Sequence, residues 1–170
     1  NAHIPVGSKV LGPTGWQEYA ALNTELLTLI PESYDPLKYI GPLGINGLAA
    51  YFGLLKAGRP IIGETVLVSS AAGSVGHFVG QMAKIIGCKV VGVTGGDSKG
   101  ERLINELGFD AAVNYKSANF RKDLKLATPN GVDVYFDNTG GNILGSAFES
   151  GRKNGHERGG SSRKSGKRER

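Results

Sequence analysis

Apolar and polar positions change rhythm repeatedly along the middle of the chain. "TVLVS" (65–69) is a short continuous apolar run, as expected of a strand buried on both faces of a parallel sheet. "KVVGV" (89–93), "AAVNY" (111–115) and "VDVYFDN" (132–138) follow as further strands. Between them the spacing lengthens to three and four. Val75, Phe78, Val79, Met82, Ile85 and Ile86 make one helical face, stopped by Gly87. Leu103, Ile104 and Leu107 make another, stopped by Gly108. "SANFRKDLKLATP" predicts a short helix with Ser117 as N-cap, closed before Pro129. "GGNILGSAFES" opens a further helix. Ahead of the first strand, residues 47–55 place Leu48, Tyr51, Leu54 and Leu55 on one face, ended by "AGRP". Four alternations of strand and helix predict an α/β fold with a doubly wound parallel sheet and right-handed crossovers. No solenoid-type repeat interrupts the pattern.

Composition adds bounds. A chain of 170 residues with 39% apolar content is sized for one domain with part of a second. The net charge of +5 is unevenly placed. Residues 150–170 hold eight Lys/Arg against two Asp/Glu, so the rest of the chain is nearly neutral. Residues 151–170 have no large apolar side chain and are expected to be disordered, because they bury too little surface to offset ordering entropy. Cys88 is the only cysteine, which rules out an internal disulfide and fits a reducing, cytoplasmic setting. No apolar run approaches the ~18 residues of a membrane span. The start, "NAHIPVGSKVLG", lacks the basic head and apolar stretch of a signal peptide and reads like the middle of a domain.

The candidate chemistry sits in "LVSSAAGSVGHFVG" (67–80). A strand-to-helix turn that carries a dinucleotide pyrophosphate needs small residues at its first, third and sixth positions. These are Ala71, Gly73 and Gly76. Without a Cβ, Gly73 lets backbone N–H groups approach a phosphate, and Gly76 lets the helix pack close to the sheet. The helix N-terminus adds unpaired donors and a positive dipole end. Gly80 keeps the next turn thin. Alanine at the first position weakens the pattern, and a tight turn that binds no nucleotide is the competing reading. At the end of the second strand an NAD enzyme usually carries Asp or Glu for the ribose 2′-hydroxyl. Thr94 stands there instead, with Lys99 just beyond, which favours NADP(H). Asp97 in the same loop argues the other way, and Lys99 read alone is an ordinary exposed lysine.

Taken together, "GWQEYA", "GPLGINGLAAYFGLL", "GETVLVSSAAGSVGHFVGQMAKIIGCKVVGVTGG", "LGFDAAVNYK" and "GVDVYFDNTGG" resemble the zinc-independent medium-chain dehydrogenase/reductases. The resemblance runs over about residues 5–149, within the branch of 2-alkenal, prostaglandin/leukotriene and curcumin reductases. It implies NADPH-dependent reduction of the C=C bond of an α,β-unsaturated aldehyde or ketone. A quinone oxidoreductase is the alternative on the same fold. By motif, Gly73, Ser74, Val75 and Gly76 would hold the pyrophosphate, Lys99 and Tyr115 the 2′-phosphate, and Asn138 would lie near the nicotinamide ribose. Read alone, Tyr115 is a strand-end tyrosine in water and Asn138 a turn residue. Asn46 and Ala49 depart from the family's proline and threonine, and Thr139 from its valine. The cysteines of zinc-dependent relatives are missing, and His3, His77 and His156 lack ligand spacing, so no metal is expected. His77 is expected to face solvent and Cys88 to be buried.

The resemblance also implies domains. Residues 1–40 would be the end of a GroES-like β domain. Residues 41–149 would be the first half of a Rossmann domain, incomplete. Residues 150–170 would be a basic tail matching nothing in the family. A frame error or unspliced intron would produce such a tail; a genuine one would touch nucleic acid only non-specifically. The family's catalytic residues are expected outside the chain, so the catalytic residues are unknown and this fragment is expected to be inactive alone. The family's full-length members are expected to be homodimers. A half-built sheet leaves an apolar strand edge unpaired, which predicts poor solubility.

Overall fold

The computed structural model describes residues 4–150 and the backbone of residues 158–160. His3 and His156 lie outside the described residues. The chain divides into two compact units, Asn1–Ile45 and Asn46–Arg170, a boundary five residues beyond the one read from the sequence.

In the first unit β1 (Val10–Leu11) pairs antiparallel with β2 (Thr28–Leu29). Asn23 caps the 3₁₀ turn Thr24–Leu26 by accepting from Glu25 N at 3.2 Å. Helix α1 (Pro36–Ile40) begins at Asp35, whose Oδ1 accepts from Leu37 N at 3.0 Å. Pro36 follows at the first helical position, where its missing N–H costs nothing.

The second unit opens within α2 (Ile45–Tyr51), one residue past its start, and the helix widens into a π-helical segment, Phe52–Gly58. The chain then runs β3 (Thr65–Val68), α3 (Gly76–Ile86), β4 (Lys89–Thr94), α4 (Asp97–Asn105) and β5 (Ala111–Asn114). It continues through α5 (Phe120–Ala127), β6 (Val134–Phe136), α6 (Gly141–Glu149) and β7 (Arg158–Gly160). The sheet is ordered β5-β4-β3-β6-β7, and every neighbouring pair is parallel.

Side chains of β3 alternate between two cores. Val66 and Val68 join Val90, Val134, Val79 and Ala83 of α3, and Leu103 of α4. Leu67 joins Val91, Val93, Leu124 of α5, and Ile143 and Ala147 of α6. Helices therefore cover both faces, as the alternation predicts. Each fully buried Val or Leu contributes about 1.5–3 kcal/mol relative to exposure. Gly87 and Gly108, at φ 94° and 73°, end their helices in the left-handed conformation that glycine tolerates best.

Three expectations need correction. The buried line of α2 and its π-helical extension is Gly47, Ala50, Leu54 and Gly58. Leu48 and Tyr51 stay 51% and 42% exposed. Small residues win because the segment lies close to β6: a Cβ on Gly53 would come 2.6 Å from the Phe136 ring, and one on Gly58 3.2 Å from Val134 Cγ1. Second, α5 starts at Phe120 with Asn119 as its N-cap residue. Ser117 acts one turn earlier, its Oγ accepting from Asn119 N at 3.1 Å and its carbonyl from Phe120 N at 3.1 Å. Third, residues 158–160 of the basic segment, expected to be disordered, form β7 along β6, pairing Tyr135 with Gly159 and Phe136 with Gly160. Backbone pairing needs no apolar pattern, so the unpaired edge of β6 recruited a strand that its side chains do not announce.

Candidate functional site

In an open parallel sheet the crevice for ligands lies beyond the carboxyl ends of the strands, where the strand order reverses. Here that point is between β3 and β6. From β3 the chain steps outward to β4 and β5, then returns to β6 on the other side of β3. Two turns face each other there: residues 69–75 after β3 and 137–140 after β6.

The first turn is built on Ser70, whose φ of 49° is left-handed. That conformation is uncommon for a residue with a Cβ. The Ser70 carbonyl accepts from Gly73 N at 2.9 Å. A Cβ on Gly73 would lie 3.0 Å from Ser70 O and 3.1 Å from its Oγ. One on Gly76 would collide with Ser70 O and lie 2.8 Å from Ala71 Cα. Close approach thus demands glycine at 76 and leaves little room for a side chain at 73. Ala71 is accommodated at the first position because its methyl is buried, while its N–H donates to Val93 O at 3.1 Å. No side chain caps α3. The N–H groups of Ser74, Val75 and Gly76 find no acceptor among the described residues. His77 departs from its expected solvent-facing place: it is half-buried, with Nδ1 2.8 Å from Gly73 O.

At the end of β4, Thr94 is buried and its Oγ1 donates to Gly96 O at 3.1 Å. Lys99 is exposed in the first turn of α4. Tyr115 is 43% exposed, and its N–H donates to Thr94 O at 3.0 Å. Its ring edge covers Gly95, where a Cβ would come 3.0 Å from Cε1 and 3.2 Å from Oη. Lys116 Nζ stands 6.0 Å from the centre of that ring. Asp97, the residue that argued against a phosphate, accepts from Asn114 Nδ2 at 2.9 Å.

The second turn is organised by Asp137 and by Ser69, neither of which the sequence singled out. Asp137 Oδ1 accepts from Ser69 Oγ at 3.0 Å, Tyr135 Oη at 2.9 Å, Thr139 N at 3.0 Å and Gly140 N at 2.8 Å. Burial opposes its charge, but the Gly140 and Thr139 N–H groups, then Tyr135 and Ser69, hold the carboxyl below the usual range. Burial, with Asp137 adding to it, raises the Tyr135 hydroxyl well above the ordinary phenol range. Asn138 is exposed and clamps onto Ser69 twice: its N–H donates to Ser69 Oγ at 2.8 Å and its Nδ2 to Ser69 O at 2.9 Å. An open groove of about 970 Å³, lined by Tyr115, Phe120, Lys122, Thr139, Gly141 and Ser146, lies alongside this turn.

Among the described residues no group of three His, Cys, Asp or Glu side chains is placed to hold a metal ion. Cys88 is buried, as expected, and its Sγ donates to Ile61 O at 3.3 Å. Burial, followed by the charges of Glu64 and Asp133, pushes its thiol up, away from the reactive thiolate.

Comparison with known proteins decides the family. A family model described as zinc-binding dehydrogenase matches residues 74–157. YfmJ of Bacillus subtilis (strain 168) is 53% identical over 143 residues, covering 83% of this chain and 42% of that protein. Prostaglandin reductase 1 of Bos taurus is 44% identical over 160 residues, covering 91% and 48%. The chain belongs to the medium-chain dehydrogenase/reductase family. Within it, the 2-alkenal reductase (NADP(+)-dependent) of Nicotiana tabacum is 45% identical over 81% of this chain and 41% of its own length. Among solved structures of the family, CurA from Vibrio vulnificus superposes with a TM-score of 0.85 at 36% identity, covering 91% of this chain and 46% of that one. CurA has also been solved in complex with NADPH, and that structure superposes at 0.72 and 34% identity, covering 76% and 39%. As a medium-chain dehydrogenase/reductase, the chain spans about half the length of the curated relatives it matches.

Proposed function

We propose that the protein is an NADPH-dependent reductase of the C=C bond in α,β-unsaturated aldehydes and ketones, and that this chain supplies the half that binds the cofactor. The observation that carries the reading is the turn at the switch point. Two glycines press against Ser70, and three N–H groups (Ser74, Val75, Gly76) at the start of α3 have no acceptor among the described residues. That cradle suits a pyrophosphate: Gly73 and Gly76 provide clearance, and the donors of Ser74, Val75 and Gly76 face the charge.

NADP(H) rather than NAD(H) is supported by the end of β4. The strand ends in Thr94 rather than a carboxylate, its hydroxyl turned onto Gly96, and the nearby Asp97 accepts from Asn114. Lys99 and the Tyr115 hydroxyl would take the 2′-phosphate. Asn138 would meet the nicotinamide ribose across the crevice. When bound, NADPH would supply a hydride for the β-carbon of the substrate. The chain's own residues bind and orient it, and the residues that protonate the product are not assigned. The names of the prostaglandin and 2-alkenal reductases support an enal or enone as substrate class.

Calorimetry on the full chain with 2′,5′-ADP and with 5′-AMP tests the cofactor reading. The 2′-phosphate ligand is expected to bind at least about tenfold tighter, through charge-assisted hydrogen bonds from Lys99. Equal affinities for the two would overturn the assignment to NADP(H).

A further inference from the structure

Asn138 can present either end of its side-chain amide to the crevice, and which end it shows decides what it can recognise. The hydrogen bonds around it settle the choice. The Ser69 carbonyl can only accept, so the amide atom facing it at 2.9 Å must be Nδ2. The carbonyl Oδ1 of Asn138 then lies on the opposite branch and has no partner among the described residues. The backbone N–H of Asn138 is held by the same residue, through Ser69 Oγ at 2.8 Å.

Ser69 accepts that N–H only if its single hydroxyl proton points elsewhere. It points to Asp137 Oδ1 at 3.0 Å. A carboxylate oxygen is an acceptor and nothing else, so it fixes the direction of the Ser69 hydroxyl. Three further donors, Tyr135 Oη, Thr139 N and Gly140 N, hold that oxygen in place. Ser69 is fully buried and Asp137 half-buried, so water competes little for these bonds. The hydrogen bonds therefore link Asp137, Ser69 and Asn138 in that order, with the fully buried Ser69 in the middle and the exposed Asn138 at the end.

We propose that Asp137 is a positioning residue that acts through Ser69 to fix Asn138 as a hydrogen-bond acceptor toward the hydroxyls of the nicotinamide ribose. The proposal rests on the NADP(H) reading above and adds two residues to it. Ribose hydroxyls donate, so an acceptor locked at the crevice selects them without paying to order a free side chain.

The test compares two ligands on the full chain. NADPH carries the nicotinamide ribose, whereas 2′,5′-ADP ends before it. Asp137→Ala is expected to weaken NADPH by about five- to tenfold, the worth of one or two hydrogen bonds, and to leave 2′,5′-ADP within about twofold. Asp137→Asn keeps an acceptor oxygen in the hub and is expected to restore most of the NADPH affinity. Asp137→Ala and Asn138→Ala together are expected to weaken NADPH no more than either alone, because both remove one interaction. A second readout needs no ligand: the backbone N–H of Asn138, which donates to Ser69 Oγ, is expected to be slow in hydrogen exchange in the wild type and in Asp137→Asn, and fast in Ser69→Ala. Equal losses for both ligands, additive losses in the double variant, or a freely exchanging Asn138 backbone N–H in the wild type would each overturn the positioning role while leaving the NADP(H) reading standing. A wild-type chain that binds neither ligand would overturn both.

Discussion

Gly80 shows how much of the site depends on single hydrogen atoms. A Cβ there would run into the Phe109 ring, which is itself buried at 3% exposure. Gly80→Ala is expected to cost about 1–3 kcal/mol through overpacking, read as a lowered Tm in thermal melts. Shortening the partner in Gly80→Ala/Phe109→Leu is expected to recover most of the loss. At this scale the sequence was legible wherever the cause is local. The spacing of Gly73 and Gly76 announced close approach, and the threonine at 94 announced the missing carboxylate. Ser69 and Asp137 gave no such signal, because their hydrogen bond joins positions 68 residues apart. Only the folded sheet makes neighbours of them.

Between elements, Asp110 ties α3 to the sheet. Its carboxylate accepts from Lys84 Nζ at 2.7 and 2.9 Å and from Val90 N at 2.6 Å. Burial alone would raise its carboxyl, but Lys84 and the Val90 N–H outweigh it and hold the group below the usual range. Asp137 is shifted the same way. A lowered folded value means that the stabilisation is present above the unfolded carboxylate value of about 3.9 and is lost as pH falls through the folded one. The Tm is therefore expected to be flat down to about pH 5 and to fall below about pH 4. Asp110→Asn is expected to lower the plateau and flatten the fall, measured by circular dichroism melts across that range. The strands were readable as short runs buried on both faces, and α3 to α6 because burial on one face imposes its period on the sequence, although Ile85 and Ile104, counted on those faces, are 86% and 46% exposed. The α2 segment with its π-helical extension was not: Gly53 and Gly58 carry the close approach to β6, and a periodicity argument follows large side chains.

For the whole molecule, β7 closes one edge of the sheet with three residues from a segment rich in Lys and Arg. Removing residues 151–170 is expected to bare the edge of β6 and promote self-association, read as a larger mass in light scattering after size exclusion. An unchanged monomer would show that the edge is protected by something else. The parallel sheet follows from a pattern spread over many residues, which is why it could be read in advance. The pairing of residues 158–160 could not, because it draws on backbone groups common to every residue.

Strand β3 is buried at every position and is paired on both sides, with β4 and with β6. Its amides can open to solvent only when the sheet comes apart, so it belongs to the last part of the unit to lose protection. The glycine turn leaves directly from its end. A ligand held there would be released by global unfolding rather than by local fraying, so its binding free energy would add in full to the stability of the unit.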